Sequence, residues 1–562
     1  MFNAYHLARP RKVGCRACEL SEIKAQACNE AVAKEASMRR IVKVIISVGG
    51  VLTLAVGAAV AIAYWPSPLP PPQRVAAAPP LRIDNVTVVD VETGGLTPHR
   101  SILIVNGKIA RIAGVDQIGE VPGVRRIDAA GQYVVPGYNN MHSHILGADH
   151  PGAGLALMLA EGVTGFRQMS GSERLLKLRR EGRLPLNENT PELLETPGDL
   201  VMPLNIASTA DAGALVTSQK RQGADFIKVG ATTPPLLYAI LSAARKQGIP
   251  VVGHLPEGID PVLASRNGIH SIEHLGPGDT MWIGCSEKKV ALMEEAERHP
   301  SVPAPPFPIP EFAQKLLEPL VSRVMARRLL NPAAFEKEED VRRLQAAFDS
   351  YDPQQCRALA QELARNGTWM VPTLVRLRTQ YLQDLPEYRI DPAIPYLEPR
   401  AYHAWTEVAD IFAALPESSR QTFREGYGRS LALTALLADE GVPMMTGTDG
   451  SYQTPGLSMG QEFRELARAG LSPLKILQMT TRDPARFLGR TETMGSVAVG
   501  KNADLVLLSE NPLSDVSNFE RITGVVRSGH YHSQEELALM RRRSFQFAQS
   551  AAPLLHNFSI RS

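Results

Sequence analysis

His142 and His144, in the stretch GYNNMHSHILG, stand one residue apart at the end of an apolar run. Side chains at i and i+2 of a strand point the same way, so two imidazoles so placed can reach one metal ion. Alone the pair is weak evidence, because histidine serves equally well in packing or at the surface. Three further positions change that. His254 ends the run IPVVGHL, His274 ends IHSIEHL, and Asp449 ends PMMTGTD late in the chain. Imidazole and carboxylate donors suit zinc, and also manganese, iron or cobalt. Lys228, in ADFIKVG, would be costly inside a fold unless its charge were neutralised; by itself it reads as a strand-end lysine reaching solvent.

Two other histidines are set apart. His270 precedes His274 by four residues, about 13 Å along a strand at roughly 3.3 Å per residue, so it belongs near the opposite end. His150 is kept only as a substrate contact.

Such donors need strands that end on one face. Between 136 and 490, short apolar runs alternate with helical stretches: GADFIKVG, PPLLYAILSAARKQG, IPVVGHL, PVLASRNG, IHSIEHL. That βαβα alternation predicts a parallel sheet, closed at this length into an eight-stranded (β/α) TIM-like barrel. Functional groups of such barrels collect at the C-terminal ends of the strands. The stretch of about 276–440 is longer than one or two barrel units require, and HPSVPAPPFPIPE (299–311) lies within it; it reads as a helical insertion, a lid in form. Residues 81–135, with the hairpin signal Asn106-Gly107, and residues 491–532 both read as strands, and together they predict one composite β-sandwich domain. Residues 533–562 read as a C-terminal tail with a terminal helix.

With these residues in place, the sequence resembles the metal-dependent amidohydrolase superfamily over about residues 81–530. VVPGYNNMHSH is similar to the opening signature of that superfamily. GADFIKVG, GHLPEG, SIEHL and NGTWMVPTL resemble its prolidase-like and imidazolonepropionase-like branch, and the end ILQMTTRDPARFLGRTETMGSVAVGKNADLVLLSENPL resembles its return into the small β domain. The resemblance implies two divalent metal ions, zinc in the first instance. His142, His144 and Asp449 would hold one, His254 and His274 the other. Lys228, carboxylated by carbon dioxide, would bridge the two as a carbamate, which turns a buried cation into an anionic ligand. It further implies a metal-bridging hydroxide attacking a C–N amide bond, with Asp449 as proton shuttle, in a dipeptide, an Xaa-Pro-like substrate or an N-acyl amino acid. A cyclic amide or lactone hydrolase is the second enzymatic reading, and a non-catalytic anchored binding protein the reading from another class. The sequence departs from the superfamily pattern at Asn140 and Gln168, where aspartates are usual. Neither position is a ligand in that pattern, and amides still orient neighbours by hydrogen bonds.

The rest of the chain concerns location. Val44 to Trp65 carries no charge and exceeds the roughly 20 apolar residues a membrane helix needs. Arg39, Arg40 and Lys43 precede it, and Tyr64 and Trp65 close it, which orients the body to the exported side. Residues 1–40 are then a cytoplasmic leader, 41–65 a transmembrane helix or signal anchor, and 66–80 a proline-rich linker. Met38 offers an alternative start that would leave 1–37 untranslated. A net charge of +2 over 562 residues gives no footprint for nucleic acid. Five cysteines are too few for a disulfide scaffold, and Cys15-Cys18, with Cys28 nearby, has no second pair to complete a zinc site. Oligomeric state is open, a homo-oligomer included.

Overall fold

The computed structural model describes residues 33–44, 46, 47, 50, 57, 69–73, 75–148, 150–203, 205, 206, 208–298, 327–450 and 458–550. Of the described residues, those from 33 to 57 belong to one unit and those from 69 to 550 to the other. In the first, residues 33–44 are helical and exposed, with Arg39 paired to Glu35. The expected membrane segment lies mostly outside the described residues, as do the Cys15-Cys18 pair and 299–311. Among the described residues no helix is long and apolar enough to cross a membrane.

The second unit begins with β1 (Leu81–Val89), β2 (Leu96–Val105), β3 (Lys108–Gly114), β4 (Arg125–Asp128) and β5 (Tyr133–Pro136). Asn106 and Gly107, at φ 52° and 72°, make the predicted two-residue turn between β2 and β3. β1 shifts register around Asn85, which takes φ 59°; its first half pairs with β4 and its second with β5.

The barrel strands are β6 (Tyr138–Ser143), β7 (Val163–Gln168), β8 (Glu192–Glu195), β9 (Ile227–Val229), β10 (Val251–Gly253), β11 (Ile269–Glu273) and β12 (Trp369–Val371). β6–β8 are parallel, β9–β12 are parallel, and the segment that follows β8 reaches β9 through the parallel bridge Val201↔Val229. Residues 444–450 supply the eighth position. Met444 bridges Met370 and Gly450 bridges Ser143, both parallel, and Met141 N–H donates to Thr446 O at 2.9 Å. Gly447 permits this closure, since a Cβ there would stand 2.6 Å from His142 Cβ and 2.7 Å from Val371 Cγ1. β12 is the seventh stave and falls inside 276–440. That stretch, expected as one insertion, is therefore interrupted by a barrel strand.

The helices outside the barrel follow from sequence. Pro234–Gln247 opens on a proline at its start, ends on Gly248 at φ 64°, and buries Leu236, Leu237, Ile240, Leu241 and Ala244. Each large aliphatic residue so buried contributes about 1.5–3 kcal/mol, so Leu237→Asp would undock this helix.

After the barrel come β13 (Leu505–Leu508), β14 (Ile522–Arg527) and β15 (His530–Ser533). β13 runs antiparallel to β5, giving one sheet ordered β15-β14-β13-β5-β1-β2-β3. Both flanks thus share one sheet, with Ile83, Ile102, Val134, Leu505 and Val526 in its core. The tail helix, Gln534–Ser550, docks on helix Pro151–Ala160, where Ser544 Oγ donates to Ala153 O at 2.8 Å. Cys285 and Cys356, both buried and 71 residues apart, form a disulfide. Among the described residues this is the one cross-link.

Candidate metal centre

The barrel brings the predicted donors to one end of its strands. His142 lies in β6 and His144 just past it; Lys228 is the middle residue of β9; His254 and His274 directly follow β10 and β11. Asp449, in the closing segment, stands among them. Its Oδ1 is 3.2 Å from His142 Nε2 and 3.0 Å from His144 Nε2, and its Oδ2 is 3.9 Å from His274 Nε2. The rings of His142 and His274 are 4.6 Å apart, and those of His254 and His274 are 5.0 Å apart. His142, His144 and Asp449 have ligand atoms close enough to share one ion.

The outer nitrogens of three rings are occupied, which leaves the inner ones facing Asp449. His142 Nδ1 is 2.7 Å from Glu273 Oε2, His144 Nδ1 is 2.9 Å from Ser170 Oγ, and His274 Nδ1 is 2.6 Å from Thr373 Oγ1. Such partners fix ring orientation and tautomer, as ligating histidines require. Glu273 also accepts from Arg167 Nη2 at 2.9 Å and Ser271 Oγ at 2.6 Å, and Arg167 Nε donates to Met141 O. Glu273, Arg167 and His142 are all fully buried.

Charge in the site follows from burial and neighbours. Burial holds the His254 ring neutral, down to about 3, and carries His274 well below the usual histidine range. Neutral imidazoles are the form that binds metal. Burial alone would raise the Asp449 carboxyl, but His274 and His142 hold it well below the usual carboxylate range. Burial pulls the Lys228 ammonium down to about 8, against the opposing pull of Glu273 and Asp449. Lys228 Nζ is buried without a hydrogen-bond partner, and His142 Nε2 faces Asp449 without completing one. Orphaned polar atoms of this kind, converging with a carboxylate, fit a site built for a divalent cation.

Several residues beyond the sequence reading join the site. Arg376 places Nε 3.2 Å from Asp449 Oδ2. Glu462 accepts the N–H groups of Leu374 and Val375 at 3.1 and 2.8 Å and so pins the helix Leu374–Tyr381 that carries Arg376. His274, Leu275, Thr373 and Asp449 all take positive φ, between 47° and 59°. Non-glycine residues held so cost about 1–3 kcal/mol each and gather where function needs them.

Asn140 works as a tie. Its Oδ1 accepts from the N–H groups of His142 and Thr448, and its Nδ2 donates to Thr448 Oγ1, which locks β6 to the closing segment. Gln168 accepts from Leu146 N–H and donates to Ser170 O, beside the partner of His144. His270 lies against Phe487, with ring centroids 4.7 Å apart. His150 precedes helix Pro151–Ala160 and lies against Phe547 of the tail helix.

Residues 428–531 match the model of the amidohydrolase family. No curated protein matches the chain. Among solved structures, the fold is similar to that of a bottromycin amidohydrolase, at 21% identity and a TM-score of 0.60, covering 90% of this chain and 96% of that one. A Xaa-Pro dipeptidase with methionine bound in its active site shares 17% identity at a TM-score of 0.52, covering 81% and 100%. A protein described as a prolidase from Bifidobacterium longum shares 18% at 0.51, covering 84% and 100%.

Proposed function

On the premise that residues 428–531 carry an amidohydrolase family domain within a barrel of the amidohydrolase type, we propose that this chain is a binuclear metallohydrolase of C–N amide bonds. Its substrates are small: dipeptides, Xaa-Pro-like dipeptides or N-acyl amino acids. The observation that carries the reading is the convergence of His142, His144, His274 and Asp449, with the outer nitrogen of each ring already engaged.

In this reading His142, His144 and Asp449 would hold one ion and His254 and His274 the other, with zinc among the ions the donors suit. Lys228, carboxylated to a carbamate, would add an anionic oxygen ligand, and its buried, partnerless Nζ supports that role. Bound divalent ions supply a water of lowered pKa and a polarised carbonyl. The chain does the rest. Glu273, Ser170 and Thr373 keep the rings aimed, and Asp449 carries the proton from water to the leaving nitrogen. The reading places the body on the exported side of a membrane, tethered through the apolar run at 44–65. The disulfide Cys285–Cys356 supports an oxidising compartment.

The test is metal analysis joined to a screen of dipeptides and N-acyl amino acids against zinc-loaded and chelator-treated protein. Zinc-dependent release of the amine is expected. Protein that retains no metal and hydrolyses no member of the screen would overturn the reading.

A further inference from the structure

Arg376 is buried, 6% exposed, and reaches the site from the helix that follows β12. Behind it, its hydrogen-bond partners among the described residues are neutral carbonyls: Nη1 donates to Leu330 O at 2.6 Å, and Nη2 donates to Leu329 O. In front, its one ion-pair partner among the described residues is Asp449, 3.2 Å from Nε. Asp449 is shared with His142, His144 and His274, and in the reading proposed above its charge belongs to the metal centre. A buried guanidinium whose counter-ion is spent elsewhere is costly unless another anion meets it.

The group is also built to receive one. Three of its five N–H donors are accounted for by Asp449, Leu329 and Leu330. Glu462 fixes the start of the helix, so the arginine is aimed before anything binds. Two residues on, Arg378 turns to Glu465 at 3.4 Å, which leaves Arg376 as the arginine of this helix at the site. A planar fork of this kind matches a carboxylate in two-point contact.

We infer that Arg376 is the specificity-determining residue of the site and receives a carboxylate of the substrate, on the carbon next to the leaving nitrogen. This rests on the hydrolase reading and sharpens it. Substrates with that acid, dipeptides and N-acyl amino acids, are favoured over the same amides with the acid masked.

The test uses the zinc-loaded full chain with a panel of N-acetyl amino acids and their C-terminal amides. Turnover and calorimetric binding are both recorded. Wild type prefers each acid over its amide by about 10- to 100-fold, as loss of a charge-assisted hydrogen bond implies. R376Q brings that ratio close to one, and R376K keeps part of it, while zinc content and far-UV circular dichroism stay at the wild-type level. An unchanged ratio in R376Q, no acid preference in wild type, or no binding of any panel member overturns the inference. Acid preference in binding that R376Q abolishes, without any turnover, leaves the anchor standing and removes the hydrolase reading.

Discussion

His142 and Glu273 meet at 2.7 Å, ring nitrogen to carboxylate, with both side chains fully buried. The second oxygen of Glu273 holds Arg167, so one carboxylate orients a candidate ligand and neutralises a buried cation. Burial alone would raise this acid, yet Arg167 and His142 hold it well below the usual carboxylate range.

Glu273→Gln keeps the shape and removes the charge. Zinc affinity is expected to fall about 10- to 100-fold, as loss of a ligand's hydrogen-bonded partner does. The melting temperature should fall as well, since Arg167 is left without a counter-charge. A calorimetric zinc titration with a thermal melt checks both. Wild-type affinity in this variant would reduce Glu273 to a packing role.

A folded-state metal site adds stability by mass action, about 4 kcal/mol at a thousandfold excess over the dissociation constant. Chelator treatment should therefore lower the melting temperature, and added zinc should restore it. His144→Ala and Asp449→Ala should each lose most of the zinc-dependent shift. If the shift survives in Asp449→Ala, the ion sits elsewhere.

On the carbamate proposal, Lys228→Ala should abolish activity, and short-chain carboxylates in excess should restore part of it. His270→Ala, which only releases a ring from Phe487, should be mild by comparison. Full activity in Lys228→Ala would refute the carbamate, and steady-state rates decide it.

Burial, with Asp279, Asp340 and Glu257 nearby, raises the Glu336 carboxyl from an ordinary 4.5 to about 8. A raised acid favours its protonated form in the fold. Its stabilising effect is fully present below pH 4.5 and is lost as pH rises towards 8. The melting-temperature difference between Glu336→Gln and wild type should be near zero in acid, then grow in favour of the variant up to pH 8. A difference independent of pH would place the effect in packing.

Removing the cross-link with Cys285→Ala and Cys356→Ala together should cost up to about 4 kcal/mol, from the entropy of a 71-residue loop. Peptide mapping without reductant should recover the two cysteines joined. Free thiols at both positions in protein from an oxidising compartment would contradict the exported reading.

The candidate histidine donors were legible because each stands at or just beyond a strand end, where alternation and strand termination fix direction without knowledge of partners. Their supports were not. Glu273 sat beside His274 in SIEHL, but only the closed barrel brings it to His142, 131 residues away. Arg376 and Arg378 look alike in LVRLRTQY, and packing alone sends one to Asp449 and the other to Glu465. β12 has only three residues and pairs with β11 across about a hundred, so local pattern left it inside an insertion. Asn140 looked like a departure; its hydrogen bonds to Thr448 use both ends of an amide, which an ionised aspartate could not supply.

The shared sheet sets a schedule for biosynthesis. β5 is made early, but its neighbour β13 follows about 370 residues later. At about 5–20 residues per second, one edge of β5 waits some 20 to 75 s for its partner. During that interval an apolar strand with unpaired backbone is open to any extended chain nearby, until the last strands emerge to cover it.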